Sequence, residues 1–184
     1  MTVVDNVTGH LLLAGPALWD PNFRRTVILI GQHDEEGAVG VVLNRATELT
    51  VAQAAPPLAP IVADGDPLFI GGPVEPSSAV VLADLADPQN AEILALGSIG
   101  FLPPEVPADT AGGIRRARVF AGYAGWGPGQ LEREMAEEGS WIAEPATPDD
   151  IFTSDPEGLW SAVLKRKGPA FDLLRFMPLD PSTN

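Results

Sequence analysis

The chain has 184 residues, 45% of them hydrophobic, no cysteine, and 25 acidic against 11 basic side chains, for a formal charge of −14. This suits one domain with a sizeable core, and the lack of cysteine excludes disulfides, zinc–thiolate sites and a nucleophilic thiol. The charge opposes nucleic acid, whose binding depends on neutralising phosphates, and anionic membranes, and no apolar run approaches the ~18 residues of a bilayer span.

The opening "MTVVDNVTGH" has no basic stretch followed by an apolar one, so it lacks a secretory pattern and a cytoplasmic protein is expected. "HLLLA" (10–14) reads as a first buried strand and "TVILIGQ" (26–32), rich in β-branched residues, as a second. The polar turn "HDEEG" then returns the chain as "AVGVVLN" (38–44), a hairpin whose Gly40 suggests a bulge or a close backbone approach. A short helix follows Thr50 and stops at Pro56 and Pro57. "DPLFIGG" reads as a strand ending in a glycine turn at Gly71 and Gly72, with another strand over 78–82. From Asp87 the pattern fits either a short capped helix or a strand, "PPEVPADTAGG" reads as polar loop, and "ARVFAGYAG" (117–125) as a further strand.

Three helix starts are expected where a capping residue precedes proline, at Asp20-Pro21, Thr147-Pro148 and Asp155-Pro156, because proline lacks an N–H where none is needed. Thr147 with Asp150 resembles a capping box. After Asp155, Leu159, Trp160, Val163 and Leu164 share one helical face. Strands cluster early and helices late, which indicates an α+β fold with a mixed or mostly antiparallel sheet. The chain is expected to form one domain over 1–184, with a core of about 9–172 and an irregular C-terminal extension.

The stretch "AGYAGWGPGQLEREM" (121–135) runs from strand through glycine loop to helix, the setting of a phosphate loop, but its residues do not match one. A Walker loop places Gly-Lys-Ser/Thr at the helix entrance, where this chain has Gly129-Gln130-Leu131. Its glycines run G-x-G-x-G instead of G-x-G-x-x-G, Pro128 removes a donor, and Glu132 and Glu134 already occupy the positive end of the helix. The favoured reading is a tight turn that folds Tyr123 and Trp126 against the sheet. A ligand or peptide site at Tyr123, Trp126 and Gln130 is the alternative.

"HDEE" (33–36) offers metal-ligand types, but neighbours at a hairpin tip diverge, so a solvated turn is expected. Only two histidines exist, no G-x-S-x-G elbow is present, and no two carboxylates are marked as a pair, so no catalytic residue, metal or cofactor is assigned. In "DPNFRRTVILI", Asp20 caps a turn, Phe23 anchors it, and one arginine is expected to pair with a carboxylate such as Asp20. If Asn44 and Arg45 end the neighbouring strand nearby, a polar cleft forms there.

These blocks, together with "FIGGPV" and "FAGYAGWGPGQLE", resemble the AlgH/YqgE family of bacterial proteins from Gly9 to about Asp172. The resemblance implies an α+β domain with a curved, partly barrel-like sheet flanked by helices. It brings no established activity, and one branch carries a regulator label that rests on no DNA-binding motif. Many relatives have a cysteine near the position of Gly31; its absence removes that thiol here. The expected function is a non-catalytic binding or regulatory module with an unknown protein or small-molecule partner. Its candidate surface comprises Asp20, Phe23, Arg25, Asn44, Gly71, Gly72, Tyr123, Trp126 and Gln130. A small-anion-binding protein or enzyme using a cleft near Arg25 is the second reading, and a transcriptional regulator, disfavoured by charge, the third.

Overall fold

The computed structural model describes residues 6–18 and 20–177. Ten strands form one sheet: β1 (His10–Ala14), β2 (Val27–Asp34), β3 (Gly37–Val42), β4 (Ala46–Thr50), β5 (Pro67–Ile70), β6 (Val74–Leu85), β7 (Ile93–Leu96), β8 (Ile99–Leu102), β9 (Ile114–Trp126) and β10 (Trp141–Pro145). Their order is β10-β1-β2-β3-β9-β6-β8-β7. Along that path every pairing is antiparallel. The parallel pair is β5 with β9, on the edge of β9 opposite β6, and β4 pairs with β5. The mixed α+β fold is therefore the one expected. The sheet curls until β7 packs against β2, but its ladder stays open.

Side-chain alternation divides the core by face. Leu11, Leu13, Leu29, Val41, Leu82 and Phe120 belong to one cluster, closed by the helical residues Ile151, Leu159, Trp160, Val163 and Leu164. These come from α4 (Pro148–Ile151) and α5 (Leu159–Lys167), which continue into α6 (Pro169–Asp172). The opposite face carries two further clusters. Leu12, Ile28, Ile30 and Val42 meet Trp126, Leu131 and Trp141 under α3 (Gln130–Ala136). Val81, Ala83, Leu85 and Val119 meet Val51 and Leu58 under α1 (Val51–Ala54) and the 3-10 turn Pro56–Ile61.

Local chemistry explains several boundaries. Thr50 and Thr147 each form a reciprocal capping box, the second with Asp150 as expected. The two readings after Asp87 both hold in part: Asp87 caps a 3-10 turn over Pro88–Asn90, and β7 and β8 then form a hairpin. Other expectations need correction. Asp20-Pro21 opens a turn and no helix, because Arg25 takes φ +53° and sends the chain into β2. After Asp155 the helix starts only at Leu159, since the Asp155 carboxylate accepts from the Gly158 N–H and holds a preceding turn. The loop "PPEVPADTAGG" contains α2 (Ala108–Ala111), and β4 and β10 are strands that no sequence pattern announced. Of the expected C-terminal extension, residues 178–184 lie outside the described residues.

Candidate functional site

The glycine loop after β9 is held from within. Gly129, at φ +72°, caps α3, and the Gln130 side-chain oxygen accepts the Gly127 N–H at 3.0 Å. Gln130 Nε2 donates to Glu134 Oε2 at 2.9 Å. The other oxygen of Glu134 accepts two indole N–H groups, from Trp126 at 3.2 Å and Trp141 at 3.1 Å. The two tryptophans cross edge to face with centroids 6.1 Å apart, and Phe23 stacks edge-on against Trp141 at 5.8 Å. Trp126 is 7% exposed, so it plugs the core. Glu134, which the sequence offered only as a charge at the positive end of the helix, organises this cluster; the signal for that role was a spacing of four residues from Gln130 and eight from Trp126.

A second group surrounds a cleft of about 230 Å³ lined by Asn22, Arg45, Ile70, Gly72, Pro73 and Pro76, with Val42 behind. Gly71 and Gly72 press against β9: a Cβ on Gly71 would fall 2.2 Å from the Gly122 oxygen, and one on Gly72 2.2 Å from the Tyr123 carbonyl. Asn44 bridges strands, accepting the Val27 N–H at 2.9 Å and donating to the Arg25 carbonyl at 2.8 Å. Asp20 accepts the Asn22 N–H. The expected pair between one of the two arginines and a carboxylate such as Asp20 is not formed among the described residues: neither Arg24 nor Arg25 makes a salt bridge, and the Arg25 guanidinium lies 5.1 Å over the Trp160 ring and donates to the Met177 carbonyl.

The cation of the cleft is Arg45. It donates to the carbonyls of Asn22 at 2.7 Å, Pro21 at 2.8 Å and Arg24 at 3.3 Å. It forms no salt bridge among the described residues. Burial first, and then the charge of Arg24, lower its pKa, while Asp20 opposes them. Arg25 (φ +53°), in the turn before β2, and Glu75 (φ +47°), near the start of β6 and next to the lining residue Pro76, are the described non-glycine residues with positive φ. Strained backbone of this kind persists only where surrounding contacts enforce it, and it concentrates at functional sites.

The hairpin tip is solvated as expected at Asp34, Glu35 and Glu36 but departs from expectation at His33. His33 is 4% exposed, not solvated. Its Nδ1 accepts the Val7 N–H at 3.1 Å, so the ring proton sits on Nε2 and is donated to Glu132 on α3. Glu132 is held below the usual carboxylate range by its own backbone N–H and then by His33. Both ring nitrogens are therefore committed: Nδ1 ties the segment before β1 to β2, and Nε2 pins α3 onto β2. Among the described residues no cluster of three or more metal-ligating side chains occurs. At Gly31 the Phe101 ring fills the space into which a side chain would project, with a carbon 2.3 Å from an ideal Cβ.

The nine candidate residues thus fall into separate places. Asn44, Gly71, Gly72, Asp20 and Arg25 build the walls of the Arg45 cleft or the turn behind it. Phe23, Trp126 and Gln130 belong to the tryptophan cluster, and Tyr123 lines a different cavity, between β3 and β8.

An open, curled, mostly antiparallel sheet with helices on both faces defines the class of fold. A family model described as AlgH-like matches residues 11–172, and the chain belongs to that family. The UPF0301 protein of Streptomyces coelicolor is 42% identical over 194 residues, spanning 100% of this chain and 98% of that one. The UPF0301 protein of Mycobacterium tuberculosis is 39% identical over 182 residues, spanning 96% and 90%. Among solved structures, a protein of Corynebacterium diphtheriae superimposes with a TM-score of 0.82 at 28% identity, covering 96% of this chain and 95% of that one. The AlgH protein from Pseudomonas aeruginosa does so with 0.71 at 30% identity, covering 97% of each. Among the described residues no helix is long and apolar enough to cross a membrane.

Proposed function

We propose that this protein is a non-catalytic binding module whose ligand or partner presents an anionic group to Arg45. The observation that carries the reading is a partly buried guanidinium lining a cleft, solvated by three backbone carbonyls and, among the described residues, by no carboxylate. Asp20 is close enough to favour the charge but forms no salt bridge with it, so a partly desolvated cation lacks a direct ionic partner, and an arriving carboxylate or phosphate supplies one. Arg24, close enough to lower the Arg45 pKa, adds a second positive charge at the rim. In a chain of net charge −14 this is a local exception. Arg25, the cation expected to receive an anion, does not line this cleft, so the reading rests on Arg45 in its place. The same overall charge disfavours nucleic acid as the partner.

Thermal unfolding with inorganic pyrophosphate and with citrate tests the reading. Anion at 100 times its Kd stabilises the fold by about 2.7 kcal/mol, or about 5–10 °C in Tm for a chain of this size. The shift disappears in Arg45→Met, shrinks in Arg24→Ala and persists in Arg116→Ala. Arg24 is exposed and its side chain holds no turn, so its variant separates lost binding from lost folding. If neither anion shifts the wild type, the anion site is wrong.

A further inference from the structure

A second cavity, of about 260 Å³, lies where β3, β9, β6, β8 and β7, five neighbours in the sheet order, curve around a common space. Among the described residues, none from a helix lines it. Mouths of curled or barrel-like sheets are recurrent small-molecule sites. Its walls are apolar: Val41 and Phe101 are core residues, while Val80 and Ile93 are only partly covered by protein. Two of the described lining residues carry polar side-chain atoms, Tyr123 with a hydroxyl and Glu92 with a carboxylate. Glu92 is fixed at the rim by its backbone N–H, which donates to the Phe101 carbonyl at 2.9 Å.

The geometry points to a binding site for a small organic amine. The apolar body lies against Val41, Val80, Ile93 and Phe101, where it removes exposed hydrocarbon from water. The ammonium donates to the Glu92 carboxylate and to the Tyr123 oxygen, the polar side-chain groups among the described lining residues. Glu92 is the only charged residue among those described on the lining, and the chain's −14 draws cations toward it. An anionic ligand would be repelled here. This site is therefore distinct in charge and position from the Arg45 cleft and does not depend on it.

A nuclear magnetic resonance titration of the full chain with benzylamine, benzyl alcohol and benzoate tests the assignment. Benzylamine shifts the amides of Val41, Val80 and Ile93. Benzyl alcohol binds roughly three- to fivefold more weakly, the scale of one exposed charge pair, and benzoate more weakly still. Glu92→Gln lowers benzylamine to the level of the alcohol, Val80→Trp abolishes the shifts of all three probes at this cavity, and Arg116→Ala, at neither cleft, leaves them unchanged. Glu92 is exposed, so its variant keeps the test valid even if Val80→Trp fails to fold. The assignment is overturned if benzylamine leaves those amides unmoved, if benzoate binds as well as benzylamine, or if Glu92→Gln keeps full affinity. Shifts that follow protein concentration without any probe would give the cavity to a second copy of the chain and overturn it too.

Discussion

At the scale of single residues, the strongest commitments in this chain are made by groups that sequence patterns pass over. Glu134 satisfies two buried indoles and one amide at once. In Glu134→Gln the new amide would face the Gln130 NH2, and turning Gln130 to relieve that conflict would release the Gly127 N–H. The expected cost is about 1–2 kcal/mol by urea unfolding, with a red-shifted tryptophan emission. Glycines with positive φ divide by what surrounds them. Gly97 (φ +57°) has no atom within 4 Å of the point where a methyl group would stand, so Gly97→Ala pays only for its conformation, about 1–2 kcal/mol. Gly72→Ala meets the Tyr123 backbone at 2.2 Å as well, and it is expected to lose more than about 4 kcal/mol or to fail to fold. Equal losses in the two variants would show that close approach to β9 does not matter. Sequence marked Gly72 as a turn glycine, whereas the requirement comes from a strand about fifty residues away. Arg45 was legible in part: the sequence put it beside Asn44 in a conditional polar cleft, but the carbonyls at 21, 22 and 24 that hold its guanidinium lie across the β2–β3 hairpin, beyond any local pattern.

At the scale of elements, strands with dense β-branched residues and helices with a cap were legible, and weakly patterned ones were not. β1, β2 and β3 fall where "HLLLA", "TVILIGQ" and "AVGVVLN" placed them, within a few residues. β10, "WIAEP", has only two large apolar residues and a proline, and exists because β1 offers it a full register. Its outer edge is capped by Lys167, which donates to the Ala143 carbonyl at 2.9 Å and blunts a template for further pairing. The neighbouring α4 carries the clearest pH dependence. Asp150 is 6% exposed; burial raises its pKa, but the hydrogen bonds from Arg166 and from Thr147 outweigh it, and the net shift is downward. A carboxyl depressed on folding stabilises the native state above its unfolded pKa, about 3.9, and that contribution fades as pH falls through the lower folded value. Stability should therefore stay level in this respect from pH 7 to about 5 and decline below about 4. Asp150→Asn should cost about 2 kcal/mol at pH 7 and shallow the acid limb of a plot of urea midpoint against pH. An unchanged acid limb would mean that another carboxylate governs it.

At the scale of the whole molecule, the excess of negative charge sets how solution conditions act on the fold. Screening has two opposed effects here. It weakens ion pairs, though partly buried ones such as Arg166–Asp150 and Lys167–Glu144 are screened less than exposed charges. It also relieves the mutual repulsion behind a net charge of −14. Repulsion acts across the molecule, beyond the reach of any contact pair, so it is the term most reduced when the screening length falls from about 30 Å at 0.01 M salt to about 8 Å at 0.15 M. Raising sodium chloride over that range is expected to raise Tm by about 2–4 °C, corresponding to about 1 kcal/mol. Chloride held in the Arg45 cleft would stabilise the fold by a different route, and comparison with Arg45→Met separates the two. Screening moves wild type and variant equally, whereas site binding moves only the wild type and grows when sulfate replaces chloride at equal ionic strength. A fall in Tm with salt in both proteins would mean that local ion pairs outweigh the global field.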